Sequence, residues 1–260
     1  MAVPPLPHLL SAAGEQALAR LLAGRPLLAF DFDGTLAPIV ARPQDARVPV
    51  ALAQRLQRLA RCRPVAVVTG RRVADVRGRL GFEPSCVIGG HGAEDEQDPQ
   101  ASQGHALALD PARSHLQAQA ASLAQAGILV EDKGQSIALH YRLAPDLEAA
   151  LRTIDALLQS LRALSPGLRM FGGKRVVNLT AADAPDKAEA MLCLVQRSAA
   201  DGAFFAGDDV NDEPVFRMAP SHWLTVRVGH DQLRTDARFR VGNPAELLGV
   251  IDRMLYLAGA

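Results

Sequence analysis

Leu27-Leu28-Ala29-Phe30-Asp31-Phe32-Asp33-Gly34-Thr35-Leu36 begins as a continuous apolar run and ends in an acidic turn. Two carboxylates therefore stand just past the end of a predicted buried strand, which is where open α/β sheets bind their ligands. Asp31 and Asp33, two residues apart, would share one face of a strand. In the sharp turn announced by Asp-Gly they can instead converge on one point, where like charges are costly without a cation. Convergence predicts a metal. The alternative is an ordinary hairpin, which Asp-Gly between apolar segments also signals.

A second strand end of the same kind lies near the C-terminus, where Ala203-Phe204-Phe205-Ala206 runs into Gly207-Asp208-Asp209-Val210-Asn211-Asp212. Hard cations such as Mg2+ take oxygen ligands, often only one or two carboxylates together with substrate phosphate, and Asp31 and Asp208 suit that role. A solvated turn would use the same Gly, Asp and Asn. Between the two acidic ends, Val65-Ala66-Val67-Val68 leads into Thr69-Gly70-Arg71. A hydroxyl and backbone N–H groups at a helix N-terminus can grip a phosphate there, or Thr69 can simply cap the helix. Lys187 opens a helix just before the strand that delivers Asp208. It offers a compact cation for a phosphoryl oxygen, although a lone Lys is usually solvated surface.

Outward from these ends, strand-like runs at 27–30, 65–68, 86–89, 203–206 and 224–228 alternate with helical patterns at 11–23, 49–60, 72–80, 185–198 and 244–257. Such alternation predicts an α/β fold, a doubly wound, Rossmann-like parallel sheet with helices on both faces. The stretch from 105 to 180 breaks the rhythm. It reads as helix 111–126, strands 128–131 and 136–141, helix 145–164, and strands 168–171 and 175–179. That is an inserted α+β cap of residues 105–180 within a core of 1–104 and 181–260. In the cap, Ile137, Leu139 and Tyr141 alternate with Ser136, His140 and Arg142, while Lys174, Val176, Asn178 and Thr180 oppose Arg175, Val177 and Leu179. One face is expected to pack on the helices and the mixed polar face to stay free, for a ligand or merely for water.

A chain of 260 residues, 48% of them apolar, can bury a sizeable core. Lys and Arg total 28 and so do Asp and Glu, with no long run of either sign. That balance removes the electrostatic footprint of a nucleic-acid binder, so any anion must be caught locally. Cys62, Cys86 and Cys193 have neither disulfide-framework nor zinc spacing and are expected to be buried, inert thiols of a reducing cytoplasm. The first ten residues hold three prolines and no basic region, unlike a secretory signal. No apolar run reaches bilayer length. The expectation is a cytoplasmic monomer with neither nucleic-acid nor membrane partners.

The Asp-x-Asp-Gly-Thr loop, Thr69, Lys187 and the Gly-Asp-Asp loop, in this order, resemble the haloacid dehalogenase superfamily of phosphohydrolases. More narrowly, the chain is similar over nearly its whole length to the trehalose-6-phosphate phosphatase family. The residues that carry this likeness are His91-Gly92-Ala93-Glu94, Glu131-Asp132-Lys133-Gly134, Ser136-Ile137-Ala138-Leu139-His140-Tyr141-Arg142, Gly173-Lys174-Arg175-Val176-Val177 and Asp212-Glu213 after Gly207-Asp208-Asp209. The resemblance implies a Mg2+-dependent phosphatase acting on a sugar phosphate, trehalose 6-phosphate first. Asp31 would attack phosphorus to form an aspartyl-phosphate. Asp33 would protonate the leaving sugar oxygen and then activate water. Asp31, the Asp33 backbone carbonyl and Asp208 would hold Mg2+, with Asp209 and Asp212 behind them or acting through water. Thr69 and Lys187 would spread the phosphoryl charge, with Gly70 and Arg71 as further substrate contacts. A mobile cap would close over the sugar, and Glu131, Lys133, His140, Lys174 and Asn178 would meet its hydroxyls.

Two positions depart from the family pattern. Asn178 stands where Gly-Lys-x-Val-x-Glu has its carboxylate, and Asn211 stands where Thr more often precedes the second Asp. These leave room for another capped sugar phosphatase, such as one for sucrose or mannosyl phosphates, or for a phosphosugar mutase. A non-catalytic sugar-phosphate sensor is the rival from another class. Loss of Asp31, Asp33, Asp208 or Lys187 would favour the sensor, and none is lost.

Overall fold

The computed structural model describes residues 6–173, 175–229 and 234–259. Strands β1 (Leu27–Phe30), β2 (Val65–Val68) and β3 (Cys86–Gly89) are buried along their whole length, as continuous apolar runs require when helices cover both faces of a sheet. They belong to a unit made of residues 1–92 and 186–260. Residues 93–185 form a second unit and carry β4 (Glu94–Asp95), β5 (Leu129–Asp132), β6 (Ser136–His140), β7 (Leu168–Gly173) and β8 (Val176–Ala181). The chain then returns to the first unit for β9 (Ala203–Gly207), β10 (Leu224–Val228) and β11 (Phe239–Val241). The boundary expected at 104/105 falls inside a helix, Pro99–Leu107.

In the first unit the described strands lie in the order β11-β10-β9-β1-β2-β3, and every pairing is parallel. β1 sits between β2 and β9, so the chain winds one way from β1 to β3 and the other way from β9 to β11. That reversal is the switch point at which such sheets leave a crevice past their strand ends. Alternation along the strands builds two cores. Leu28, Phe30, Val67 and Phe204 pack with Leu18, Leu52, Leu56, Val250 and Met254, whereas Ala29, Val68 and Phe205 pack with Met191, Leu194 and Phe216. The Phe30 and Phe204 rings meet at 5.4 Å and those of Phe205 and Phe216 at 5.8 Å, separations at which tilted aromatic pairs attract.

The helices of this unit begin where local chemistry allows. Ser11 accepts from the Gly14 N–H at the start of Ala12–Leu22, and Asp186 with Glu189 forms a reciprocal capping box on Lys187–Arg197. β11 and the six-residue helix Glu213–Met218 lie outside the sequence expectation, because neither is long enough to display a period. Cys193 is exposed and Cys62 half-buried, so only Cys86 matches the expectation of buried thiols. Cys193 falls on the outer side of Lys187–Arg197, whose inner side carries Ala190, Met191 and Leu194.

The second unit is a four-stranded antiparallel sheet, β5-β6-β8-β7. Ile137, Leu139 and Leu179 on one face pack against Leu116, Leu123, Ile154, Leu157 and Leu161. The helix expected over 111–126 is two, Asp110–Ala118 and Ala120–Gln125, separated at Gln119 (φ −102°, ψ 8°). The polar segment before them contains the helix Pro99–Leu107, which has no apolar stripe to announce it. It is started by Asp98, whose side chain accepts from the Ala101 N–H. The opposite sheet face is open only in part: His140 and Glu131 keep 37% and 50% of their side chains exposed, whereas the centre is covered. Ser136, Asn178 and Thr180 are only 1%, 2% and 1% exposed, and Pro99–Leu107 packs against β8. No helix among the described residues is long and apolar enough to cross a membrane.

Candidate active site

Sheet register sets the site. Phe30 pairs with Val67 on one side and Ala206 on the other, so β1, β2 and β9 end side by side and deliver Asp31, Thr69 and Asp208 to one edge. The Asp31 N–H donates to the Ala206 carbonyl at 2.9 Å, tying the two acidic loops together at their roots. Gly34 (φ +79°) makes the turn after Asp33. A Cβ there would lie 2.3 Å from Asp208 Oδ2, and one on Gly207 would lie 2.3 Å from Asp212 Cγ. Both positions need glycine because the carboxylates already fill the space a side chain would take.

Asp31, Asp208 and Asp212 are 5%, 9% and 0% exposed, and each places a carboxylate oxygen within 4.8 Å of the other two. The Lys187 ammonium, buried at the head of its helix, donates to Asp31 Oδ1 at 2.8 Å and to Asp212 Oδ1 at 2.7 Å. Burial pushes the Asp31 carboxyl well above the ordinary range; Lys187 opposes the shift, while Asp212 and Asp208 add to it. Burial works against the charge on Lys187, yet Asp212 and Asp31 hold its pKa above the usual lysine value. When ionised, the three carboxylates face this single ammonium with an excess of two negative charges. An oxygen-only, buried donor set of that charge fits a hard divalent cation.

Asp212 thus joins the cluster itself, closer in than the sequence expectation placed it. Its other oxygen accepts from the Asp209 N–H at 2.9 Å. Asp209 accepts from the Asn211 amide at 3.3 Å. Arg227, which the sequence reading passed over, is buried on β10 and donates to the Asp209 carbonyl at 3.1 Å and to Glu213 at 3.3 Å. The signal available for it was a lone charge inside the apolar run Leu224–Val228.

Thr69 is buried, and its Oγ1 accepts from the Arg71 N–H at 3.2 Å. It does not cap a helix, since Val73–Leu80 begins later and takes no side-chain cap bond from Arg72. The loop is braced from the next strand end. The His91 N–H donates to the Thr69 carbonyl at 3.0 Å and the Gly90 N–H to the Arg71 carbonyl at 2.9 Å. His91 has φ +61°, and its imidazole lies over Gly70, where a Cβ would stand 2.3 Å from Cε1. Arg71, expected among the substrate contacts, directs its guanidinium to Asp33, with 2.7 Å to each carboxylate oxygen. The Asp33 side chain therefore points to Arg71, while Asp31, Asp208 and Asp212 form the cluster.

In the second unit, Glu131, Lys133 and His140 come together. His140 Nε2 lies 2.8 Å and Lys133 Nζ 3.6 Å from the same Glu131 oxygen. The hydrogen bond from His140 holds the Glu131 carboxyl below its ordinary range; burial opposes this and Lys133 supports it. Asn178 pairs across the strands with Ala138, which pairs in turn with Glu131. Two strand spacings, about 10 Å, therefore separate Glu131 from Asn178. The Asn178 Nδ2 is buried and has no hydrogen-bond partner among the described residues. Lys174 lies outside the described residues.

A model of the trehalose-phosphatase family matches residues 29–241. An uncharacterized glycosyl hydrolase of Mycobacterium tuberculosis (strain ATCC 25618 / H37Rv) is 36% identical over 245 residues, which cover 87% of this chain and 18% of that protein. A trehalose-phosphate phosphatase of the same strain is 32% identical over 252 residues, covering 90% of this chain and 62% of the relative. The chain thus spans less than two thirds of the length of these relatives. The crystal structure of a trehalose-6-phosphate phosphatase related protein superposes with a TM-score of 0.74 at 22% identity, covering 90% of this chain and 100% of the other, a likeness of fold.

Proposed function

Since this chain belongs to the trehalose-phosphatase family, we propose that it is a Mg2+-dependent phosphomonoesterase whose substrate is trehalose 6-phosphate. The observation that carries the reading is the buried meeting of Asp31, Asp208 and Asp212 with Lys187 at adjacent ends of a parallel sheet. Asp31, Asp208 and the Asp33 backbone carbonyl are the proposed Mg2+ ligands, with Asp212 alongside; the bound ion would offset their charge and draw electron density from a phosphoryl oxygen.

Asp31 would attack phosphorus and carry the phosphoryl group as an aspartyl-phosphate, which divides one difficult displacement into two easier ones. Asp33 would give its proton to the departing sugar oxygen and recover one from the water that hydrolyses the intermediate. Lys187 and Thr69, both buried, would steady the phosphoryl charge where a fixed donor counts for more than it does in bulk water. Phosphate monoesters are among the slowest substrates to hydrolyse unaided, so positioning and electrostatics together must supply more than ~20 kcal/mol. Glu131, Lys133, His140, Lys174 and Asn178 remain the proposed sugar contacts. The unpartnered Asn178 Nδ2 supports this, since a buried donor is costly until something accepts from it.

The decisive experiment measures phosphate released from a panel of sugar phosphates, with Mg2+ and with EDTA. Trehalose 6-phosphate should be hydrolysed best, and EDTA should abolish turnover until Mg2+ is restored. Full activity in chelator would remove the metal from the reading.

Asn178 also favours a second reading, in which another sugar phosphate is preferred. Asn178→Glu separates the two. A carboxylate accepts hydrogen bonds roughly twice as strongly as an amide but cannot donate. The substitution should keep or raise kcat/KM for trehalose 6-phosphate, by an equivalent of at most about 1–3 kcal/mol. Collapse on that substrate, with another sugar phosphate preferred by the unmodified protein, would establish the second reading.

A further inference from the structure

Arg71 makes a two-pronged contact with Asp33. Nε donates to Oδ2 and Nη2 to Oδ1, both at 2.7 Å. Its remaining bonds go to groups outside the acidic cluster, from Nη1 to Asp75 Oδ2 at 2.9 Å and from Nη2 to the Pro43 carbonyl at 2.8 Å. The guanidinium lies over the buried Phe32 ring, 5.2 Å from its centroid. Four bonds account for most of the five donors a guanidinium possesses. The chain of contacts continues along one side of the helix Val73–Leu80. Asp75 also accepts from Arg79 Nε at 2.8 Å and from Arg79 Nη2, while Arg79 Nη1 donates to the Gln44 carbonyl. Residues 71, 75 and 79 thus form a ladder at four-residue spacing, with one end on Asp33 and side contacts to the carbonyls of Pro43 and Gln44 in the 3-10 turn Pro43–Asp45.

We propose that Arg71 is a positioning residue for the Asp33 carboxylate, held in turn by Asp75, and not a phosphate ligand. The inference rests on the acid–base role given to Asp33 above. Asp33 follows a strand end and precedes a glycine turn, and its side chain is 39% exposed, so its own packing leaves it free to rotate. A planar fork fixes both oxygens of a carboxylate at once, which a point charge cannot do. Each oxygen keeps a second lone pair for the proton of a leaving group or water. Asp75 does the same for Arg71 from the other side. Burial raises the Asp75 pKa, but the bonds from Arg79 and Arg71 outweigh it and keep the carboxylate ionised below the usual range.

The test compares Arg71→Met, Arg71→Lys, Asp75→Asn and Asp75→Glu with the unmodified protein in Mg2+. It reads kcat and KM on the best sugar phosphate and Ki for inorganic phosphate. A positioning role predicts that Arg71→Met lowers kcat by up to ~10²-fold, within the reach of general acid–base catalysis, and leaves the phosphate Ki within ~3-fold. Arg71→Lys should recover little of this, because an ammonium cannot hold both oxygens. Asp75→Asn should lower kcat by a smaller factor, with partial recovery in Asp75→Glu, since Asp75 acts only through Arg71. In an Asp33→Asn background, Arg71→Met should lower kcat no further, the non-additivity of residues acting as one unit. A tenfold or greater rise in phosphate Ki with kcat intact would make Arg71 a phosphate ligand and overturn the proposal. Fully additive losses in the double variant would overturn it as well. If Arg71→Met does not fold, Arg71→Lys and the Asp75 pair carry the test, and unchanged kcat in both Arg71→Lys and Asp75→Asn then overturns the proposal. If the unmodified protein releases phosphate from no sugar phosphate, the proposed function fails, and the positioning inference fails with it.

Discussion

Asp31→Asn is expected to abolish phosphate release, by about 10⁴–10⁶-fold as for loss of a covalent nucleophile, without unfolding the protein. An amide cannot displace the sugar oxygen from phosphorus. The same substitution should be harmless or stabilising in chelator, and this follows from the direction of the Asp31 shift. Burial raises its pKa in the folded protein, with Asp212 and Asp208 adding and Lys187 opposing. A carboxyl whose folded pKa lies above its unfolded one contributes stability below the unfolded value, and that contribution is lost as pH rises through the folded value. At neutral pH without metal, ionised Asp31 therefore works against the fold, and Asn removes that burden. Mg2+ should reverse the order, raising Tm more for the unmodified protein than for the variant, because a ligand stabilises only the state that binds it. Thermal unfolding in EDTA and in Mg2+, beside the phosphate assay, tests both halves. Appreciable turnover by the variant would place the nucleophile elsewhere, and a large drop in Tm in EDTA would contradict the electrostatic account.

Lys187→Met should have the largest effect on stability. The ammonium is buried between Asp31 and Asp212, 2.8 Å and 2.7 Å away. A methionine fills similar space without the charge, leaving buried carboxylates facing one another. Removing one partner of a buried ion pair typically costs about 3–5 kcal/mol. That loss should appear in urea unfolding with EDTA and shrink in Mg2+, whose charge takes over part of the compensation. Turnover should fall by about 10²–10³-fold even in saturating Mg2+, the usual cost of losing one fixed donor to developing charge. A variant as stable as the unmodified protein in EDTA would mean that Lys187 does not offset the carboxylates.

The strands Leu27–Phe30, Val65–Val68, Cys86–Gly89 and Leu224–Val228 could be read residue by residue from the chain. A strand buried on both faces is mostly apolar, with Thr225 and Arg227 the exceptions in β10, and its apolar run ends near glycine, threonine or acidic residues. That local code also located Asp31, Thr69 and Asp208, because parallel strands all present the same ends to one edge. The inserted antiparallel sheet was legible from period-two alternation, since Ile137 and Leu139 share a face opposite Ser136 and His140, and Leu179 lies between Asn178 and Thr180.

Contacts between separate strand ends are not written in any local period. That Asp212 joins the carboxylate cluster depends on how the loop after β9 folds back, where Gly207 leaves room for it. That Arg71 holds Asp33 depends on the lateral pairing of β1 with β2 and on the direction of one long side chain. The placement of His91 over Gly70 requires a left-handed residue that nothing in its neighbours demands. The burial of Ser136, Asn178 and Thr180 follows from packing, not from their polarity. Sequence alone determined the long apolar strands and the chemical groups at their ends, because burial and chain geometry act locally through residue type, whereas short elements such as β11 and Glu213–Met218 show no period to read. Tertiary structure alone decided which of those groups pair, because side chains distant along the chain meet only once register, glycine-sized gaps and opposing charges have been satisfied together.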